Sequence, residues 1–219
     1  DLAGAAQVLA AAVRLHPTRS ALWQKLAEVE RARTHREEAI AAYRTAIALE
    51  DAGAEPHMAL VRLYLEGGAS ATALPLLMRI LEKDLGGSDA DTYIQVGIDL
   101  YSLNRVAEAA RAYRRALAID EDNQVAWINL GWCSYVQGDL AVAIAAYERV
   151  LAGGSSPQAQ FNLGLAYLAG DAIAAARSTY AQGIAQYGAA EARRIGAVDD
   201  LRALVARGAP AAAGEILRQ

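Results

Sequence analysis

The sequence predicts an all-α fold, a solenoid of helix–turn–helix repeats closed by further helices at its C-terminal end. Three observations predict it. The 219 residues are 54% hydrophobic and rich in alanine, with five prolines and one phenylalanine, a composition that favours helices over strands. One layout of aromatic, small and apolar residues then recurs from residues 20, 54, 90, 124 and 157. Within each unit the apolar residues follow the helical period twice, separated by a turn signal. A fixed period in this range marks a repeat architecture, in which each unit buries its apolar face only against its neighbours.

Residues 1–19 read as a half repeat: DLAGAAQVLAAAVRLH carries Ala5, Leu9, Ala12 and Pro17 in the register of a second helix whose first is missing. Such a start is expected of a piece of a longer array or of a multidomain protein. Five units follow, at 20–53, 54–89, 90–123, 124–156 and 157–190. In the fourth, Trp127, Leu130, Gly131 and Ser134 form one stripe of the first helix, and Ala143, Tyr147 and Val150 form the facing stripe of the second. Gly131 and Ala143 allow the two axes to approach, and Trp127 and Tyr147 fill the space beside them. The partners recur as Ala27, Ala39 and Tyr43; as Gly97, Ala109 and Tyr113; and as Gly164, Ala176 and Tyr180. Gly138-Asp139 and Gly170-Asp171 read as the turns between helices. The second unit departs most. It has His57 in the aromatic position, a Gly67-Gly68 turn and Pro75, expected in the first helical turn, where backbone N–H groups lack partners anyway. Residues 191–219 read as two cap helices, EARRIGAVDDLRALVARG and APAAAGEILRQ, with Gly208 closing one and Pro210 opening the other. The whole is expected to be one continuous domain.

Trp127, Leu130, Gly131, Gly138, Ala143 and Tyr147 resemble the tetratricopeptide repeat, whose pattern is an aromatic, Leu-Gly, a later Ala and a second aromatic within about 34 residues. The resemblance covers residues 1–190; the family's closing proline survives as Pro17, whereas Asp51, Glu121 and Ser155 hold the equivalent places. It implies a right-handed superhelix whose first helices line a concave groove, and a role in protein–protein interaction.

The stretch WINLGWCSY holds two tryptophans five residues apart, about 500° of helical rotation. The indoles therefore lie on different faces. Trp127 belongs to the stripe that packs the unit. Trp132 belongs to a second stripe with Val125, Ile128 and Tyr135, which the resemblance directs into the groove. Neighbouring units place Ile94, Ile98 and Tyr101, then Phe161, Leu165 and Leu168, in the same register. Gln95, Asn129 and Asn162 run beside them, one amide per unit. These twelve residues are the candidate partner-binding set. An extended apolar strip on a water-soluble protein marks an interaction surface, and an amide row can bond a peptide backbone without reading its side chains. The row is similar to the asparagine ladder of some tetratricopeptide superhelices, but Lys25 and Ala59 interrupt it. The competing reading is a strip covered by the chain's own C-terminal helices or by a second copy.

The leading expectation is thus a scaffold that binds a protein or peptide with an apolar or amphipathic segment. Two alternatives stand beside it: a regulatory or targeting segment of a larger multidomain enzyme, and a self-assembly module using the same strip. A basic clamp for a chaperone tail would need cations on the strip, where only Lys25 and Arg62 are candidates. Arg31, Arg33 and Arg36 read as a solvated edge, with docking of an acidic partner as the alternative.

No catalytic residue, metal site or cofactor is expected. His16, His35 and His57 do not pair at metal-ligand spacing, and no phosphate loop or nucleophile motif is present. Cys133 reads as a packing thiol and excludes an internal disulfide. With 21 Lys+Arg against 25 Asp+Glu, a net charge of -4, nucleic acid is disfavoured. No apolar run spans a bilayer and no targeting signal is visible, so membrane insertion is not expected; the compartment stays open, with the cytoplasm favoured.

Overall fold

A computed structural model describes residues 1–49, 53–87, 89–206, 214 and 216. Among the described residues the elements are thirteen α-helices and no strands: α1 (Leu2–Leu15), α2 (Ser20–Ala32), α3 (Arg36–Ala48), α4 (Ala54–Glu66), α5 (Ser70–Lys83), α6 (Ala90–Ser102), α7 (Val106–Ile119), α8 (Gln124–Gln137), α9 (Leu140–Gly153), α10 (Pro157–Ala169), α11 (Ile173–Tyr187), α12 (Ala189–Arg194) and α13 (Ala197–Ala206). The first helices α2, α4, α6, α8 and α10 begin at residues 20, 54, 90, 124 and 157. The contacts divide the chain into two compact units, Asp1–Asn104 and Arg105–Gln219, where the sequence is read as one continuous domain. A fold held by neighbour-to-neighbour contacts has no single core to prevent such a division.

In the first unit, α2 packs on α3 and α4 on α5, with α1 against α2, α3 against α4 and α5 against α6. Ala27, Ala39, Ile40, Tyr43, Leu60 and Leu63 form its buried cluster, flanked by half-buried Trp23, Leu26 and Tyr64. Helix α5 begins at Ser70, so Pro75 lies in its second turn rather than its first. The carbonyl that loses its donor belongs to Ala71, which is exposed and open to water. In the second unit, α7 packs on α8, α8 on α9, α9 on α10, and α10 on α11.

In four of the five first helices the residue at the Trp127 position anchors the entry loop, and in the fifth it reaches α11 instead. The Trp127 indole N–H donates to the Glu121 carbonyl at 2.7 Å and Trp23 donates to the Pro17 carbonyl at 2.8 Å. Tyr93 donates to Asp84, His57 Nδ1 is 2.9 Å from the Gly53 carbonyl, and Gln160 donates to the Thr179 carbonyl of α11 at 2.9 Å. Trp127 is half-buried, its ring packed on the cluster of Ala143, Tyr147, Val150 and Leu163. The residue facing Gly131 is Tyr147: a Cβ on Gly131 would lie 2.7 Å from Tyr147 Cε1, and one on Gly164 would lie 2.8 Å from Tyr180 Cε2. Small residues therefore admit a tyrosine ring flat against the first helix.

The first helices share one ending. A left-handed residue stands at Thr34 (φ 64°), Gly68 (φ 71°), Asn104 (φ 59°), Gly138 (φ 82°) and Asp171 (φ 59°), eleven residues after the anchor in every unit. The following N–H bonds back to the last helical turn, as His35 to Glu30, Ala69 to Tyr64, Asp139 to Ser134 and Ala172 to Tyr167, each within 2.9 Å. This is the Schellman closure, which satisfies carbonyls the helix leaves orphaned. In the fifth unit the special residue is thus Asp171, not Gly170, whose φ is -88°.

One sequence expectation is corrected at the C-terminal end. The stretch from Glu191 is two helices, α12 and α13, broken at Gly196 with φ 82°. Gly208 and Pro210 lie outside the described residues.

Candidate partner-binding surface

The twelve candidates fall into three environments. In the first unit, Ile94 is buried and belongs to the interior, Ile98 is 41% exposed and Tyr101 is half-buried. Gln95 is exposed, but its amide donates to Asp99 Oδ1 of the same helix at 2.9 Å. In the second unit, the α8 residues Ile128, Asn129, Trp132 and Tyr135 are all half-buried. Trp132 stacks on Tyr135 with ring centroids 5.4 Å apart.

The α10 residues correct the sequence reading. Phe161, Leu165 and Leu168 retain 1%, 2% and 0% of their surface, because α12 and α13 fold over them and contribute Ala192, Ala197 and Leu201, with Ile216, to the same cluster. Asn162 is buried as well, so it cannot serve as an open rung. It lies close enough to the Tyr147 hydroxyl to act against the dominant effect of burial, which raises that group's pKa, yet closes no well-formed hydrogen bond with it. The covered reading of the strip holds for α10. Trp132 and Tyr135 pack against the edge of the cluster and remain partly accessible.

The first unit carries a second concavity, about 750 Å³, lined by Glu28, Arg31, Tyr43, Arg62, Asp91 and Gln95 among others. Glu28 and Arg62 occupy the register of Trp132 in their own helices, so this groove is charged where α8 is aromatic. Its charged groups act on neighbouring titratable groups. Burial raises the Asp99 pKa, with the Gln95 hydrogen bond and Arg62 opposing. Tyr43 is raised by burial and by Glu28, with Arg31 opposing.

The arginine edge is likewise engaged within the fold. Arg33 pairs with Glu30 at 3.0 Å, and Arg36 reaches across to donate to the Leu63 carbonyl at 2.5 Å, its guanidinium filling the space beside Gly67. Sequence reasoning missed this cap, because its two ends lie 27 residues apart.

No group of three or more His, Cys, Asp or Glu suited to a metal ion occurs among the described residues. Among them, no helix is long and apolar enough to cross a membrane. Cys133 is buried and its thiol is pushed up to about 11 by desolvation, which keeps it protonated and unreactive at neutral pH.

Paired helices with a shared Schellman ending and glycine–tyrosine seams define a helical-repeat protein. Residues 97–157 and 135–192 match the model of the tetratricopeptide repeat family. Solved structures share its fold. One is YrrB, described as a TPR protein with an unusual peptide-binding site: 19% identity, covering 84% of this chain and 95% of that one, TM-score 0.69. Another is the MamA protein, at 21% identity over 77% of this chain and 94% of its own, TM-score 0.61. A third is PilW, described as a widely conserved type IV pilus biogenesis factor, at 17% identity over 86% and 87%, TM-score 0.55. At these identities the likeness concerns the fold alone. No curated protein matches the chain significantly.

Proposed function

We propose that the chain is a protein-interaction scaffold that grips an apolar or amphipathic partner segment on the α8 face formed by Ile128, Asn129, Trp132 and Tyr135. The observation that carries this reading is Trp132. It is a large aromatic, half-exposed, preorganised by stacking on Tyr135 and seated at the rim of an apolar cluster. Aromatic anchors of this kind dominate interface energetics because they bury much area at small entropic cost. Asn129 beside it offers both a donor and an acceptor to a partner backbone. The described peptide-binding site of YrrB, a protein of the same fold, is consistent with the class of ligand.

The test is selection of displayed peptides against the full chain, followed by titration of the selected peptides on wild type and Trp132→Ala. Selected peptides are expected to carry apolar residues at helical spacing. Truncating the anchor is expected to cost about 2–4 kcal/mol, roughly 30-fold or more in Kd. A variant that keeps its helicity and binds within twofold of wild type would show that the α8 face is not the recognition surface.

A further inference from the structure

Helix α13 sits where a partner would. It lays Ala197 and Leu201, with Val198 and Leu204 partly buried, onto Phe161, Leu165 and Leu168 of α10. Those three residues hold the same register in α10 that Ile128, Trp132 and Tyr135 hold in α8. Its outer side carries the exposed pair Asp199 and Arg202, 2.9 Å apart, and exposed Val205. It is therefore an amphipathic helix lying in an apolar groove, with a small residue followed by leucines four and seven positions later.

The seat is incomplete in three ways. Gly196, with φ 82°, separates α13 from the six-residue α12. An apolar pocket of about 410 Å³, lined by Ile184, Ala197, Val198, Leu201 and Ile216 among others, remains between α13 and α11. Finally, the described part of α13, Ala197–Ala206, has 10 residues, about 15 Å of helix. It closes over α10 and leaves Ile128, Trp132 and Tyr135 of α8 half-covered.

We propose that α13 is an internal occupant of a helix-binding groove built by α8 and α10, and that the external ligand is a longer amphipathic helix of the same small–Leu–Leu pattern that displaces it. The proposal rests on the reading that the α8 face binds partners, and adds to it the partner's form and the element it must replace. An isolated helix of this length is marginal in water, so α13 persists through the high effective concentration its tether provides. A longer helix covering both α8 and α10 competes by burying more apolar surface.

Two experiments on the full chain test this. In native-state hydrogen exchange, residues 197–206 are expected to open at least about tenfold more readily than 157–169. Exchange of both segments in one shared opening would make α13 permanent core and overturn the proposal. In the second, a fluorescein-labelled peptide of residues 189–206 is titrated against wild type, Leu201→Asp and the milder Leu201→Ala. The folded variants are expected to bind it at least about tenfold more tightly than wild type, whose groove is filled in cis, and adding Trp132→Ala, at the edge of the same cluster, should weaken the binding. Helical, folded variants that bind no better than wild type would overturn it. If selected peptides bind wild type and Leu201→Asp equally, the interaction surface stands and the displacement fails. If the 189–206 peptide binds the variants while selection on wild type yields nothing, the groove stands and the open α8 site fails.

Discussion

Gly131→Ala isolates the close approach on which each hairpin depends. In an ordinary helix interior the change adds about 1 kcal/mol of stability, because glycine has more backbone entropy to lose. Here the new Cβ would fall 2.7 Å from Tyr147 Cε1, 2.9 Å from Cζ and 3.1 Å from Cδ1. Tyr147 retains 0% of its surface and packs among Ala143, Val150, Leu163 and Ala166, so the ring has nowhere to retreat. Overpacking of this kind costs about 1–3 kcal/mol, and three simultaneous contacts on one rigid ring place it toward the upper end. The net expectation is a loss of about 1–2 kcal/mol, or roughly 3–6 °C in Tm for a chain of this size. Gly153→Ala is the control. It closes α9, has no heavy atom within 4 Å of its Cβ position, and should gain about 0.5 kcal/mol. Urea unfolding followed at 222 nm compares the two. If both substitutions stabilise, Tyr147 can yield and the glycine–tyrosine seam is not what sets the helix spacing.

Thr34 is a β-branched residue at φ 64°, where an L side chain costs about 1 kcal/mol or more. Thr34→Gly should therefore raise stability by about 1 kcal/mol despite losing the hydroxyl bond to the Arg33 carbonyl, and calorimetry would show the rise in Tm. His57 is fully buried, with Nε2 lacking a partner and burial lowering its pKa. The unfolded chain then binds the proton first. Stability contributed by neutral His57 is intact above the unfolded pKa of about 6.5 and drains away as pH falls from there toward the lowered folded value, with a slope of at most about 1.4 kcal/mol per pH unit. Urea midpoints between pH 7.5 and 5 should show this slope in wild type and lose it in His57→Gln; an unchanged slope would refute the assignment. Cys133 should resist thiol reagents at pH 7 and react at once in denaturant, a contrast read directly by absorbance with an aromatic disulfide.

Much of the architecture is legible because its causes are local and periodic. Starts at 20, 54, 90, 124 and 157 follow from a hydrophobic period that recurs with its turns, and Gly131 with Tyr147 announces a close approach through size alone. The shared left-handed ending was legible at Gly68 and Gly138. It was hidden at Thr34, Asn104 and Asp171; at Thr34 and Asp171 the Schellman bonds, rather than glycine's freedom, hold the conformation. The candidate surface was half legible. Register alone puts Ile128, Trp132 and Tyr135 on one stripe with Phe161, Leu165 and Leu168 in step, since residues three and four apart share a helical face.

Which part of that strip meets solvent is a tertiary matter. It depends on a chain reversal at Gly196 that carries Leu201 back across 36 positions to Leu165, a contact that no local period encodes. The same holds for Arg36, whose guanidinium caps a helix 27 residues away. The sequence by itself determined the helices of the repeats, their pairing within a repeat and the register of their apolar stripes, because each is decided within one or two turns of backbone. Only the tertiary structure decided which stripe was spent on folding and which was left partly exposed. Burial depends on what else comes to lie on a face, and that is a property of the whole chain.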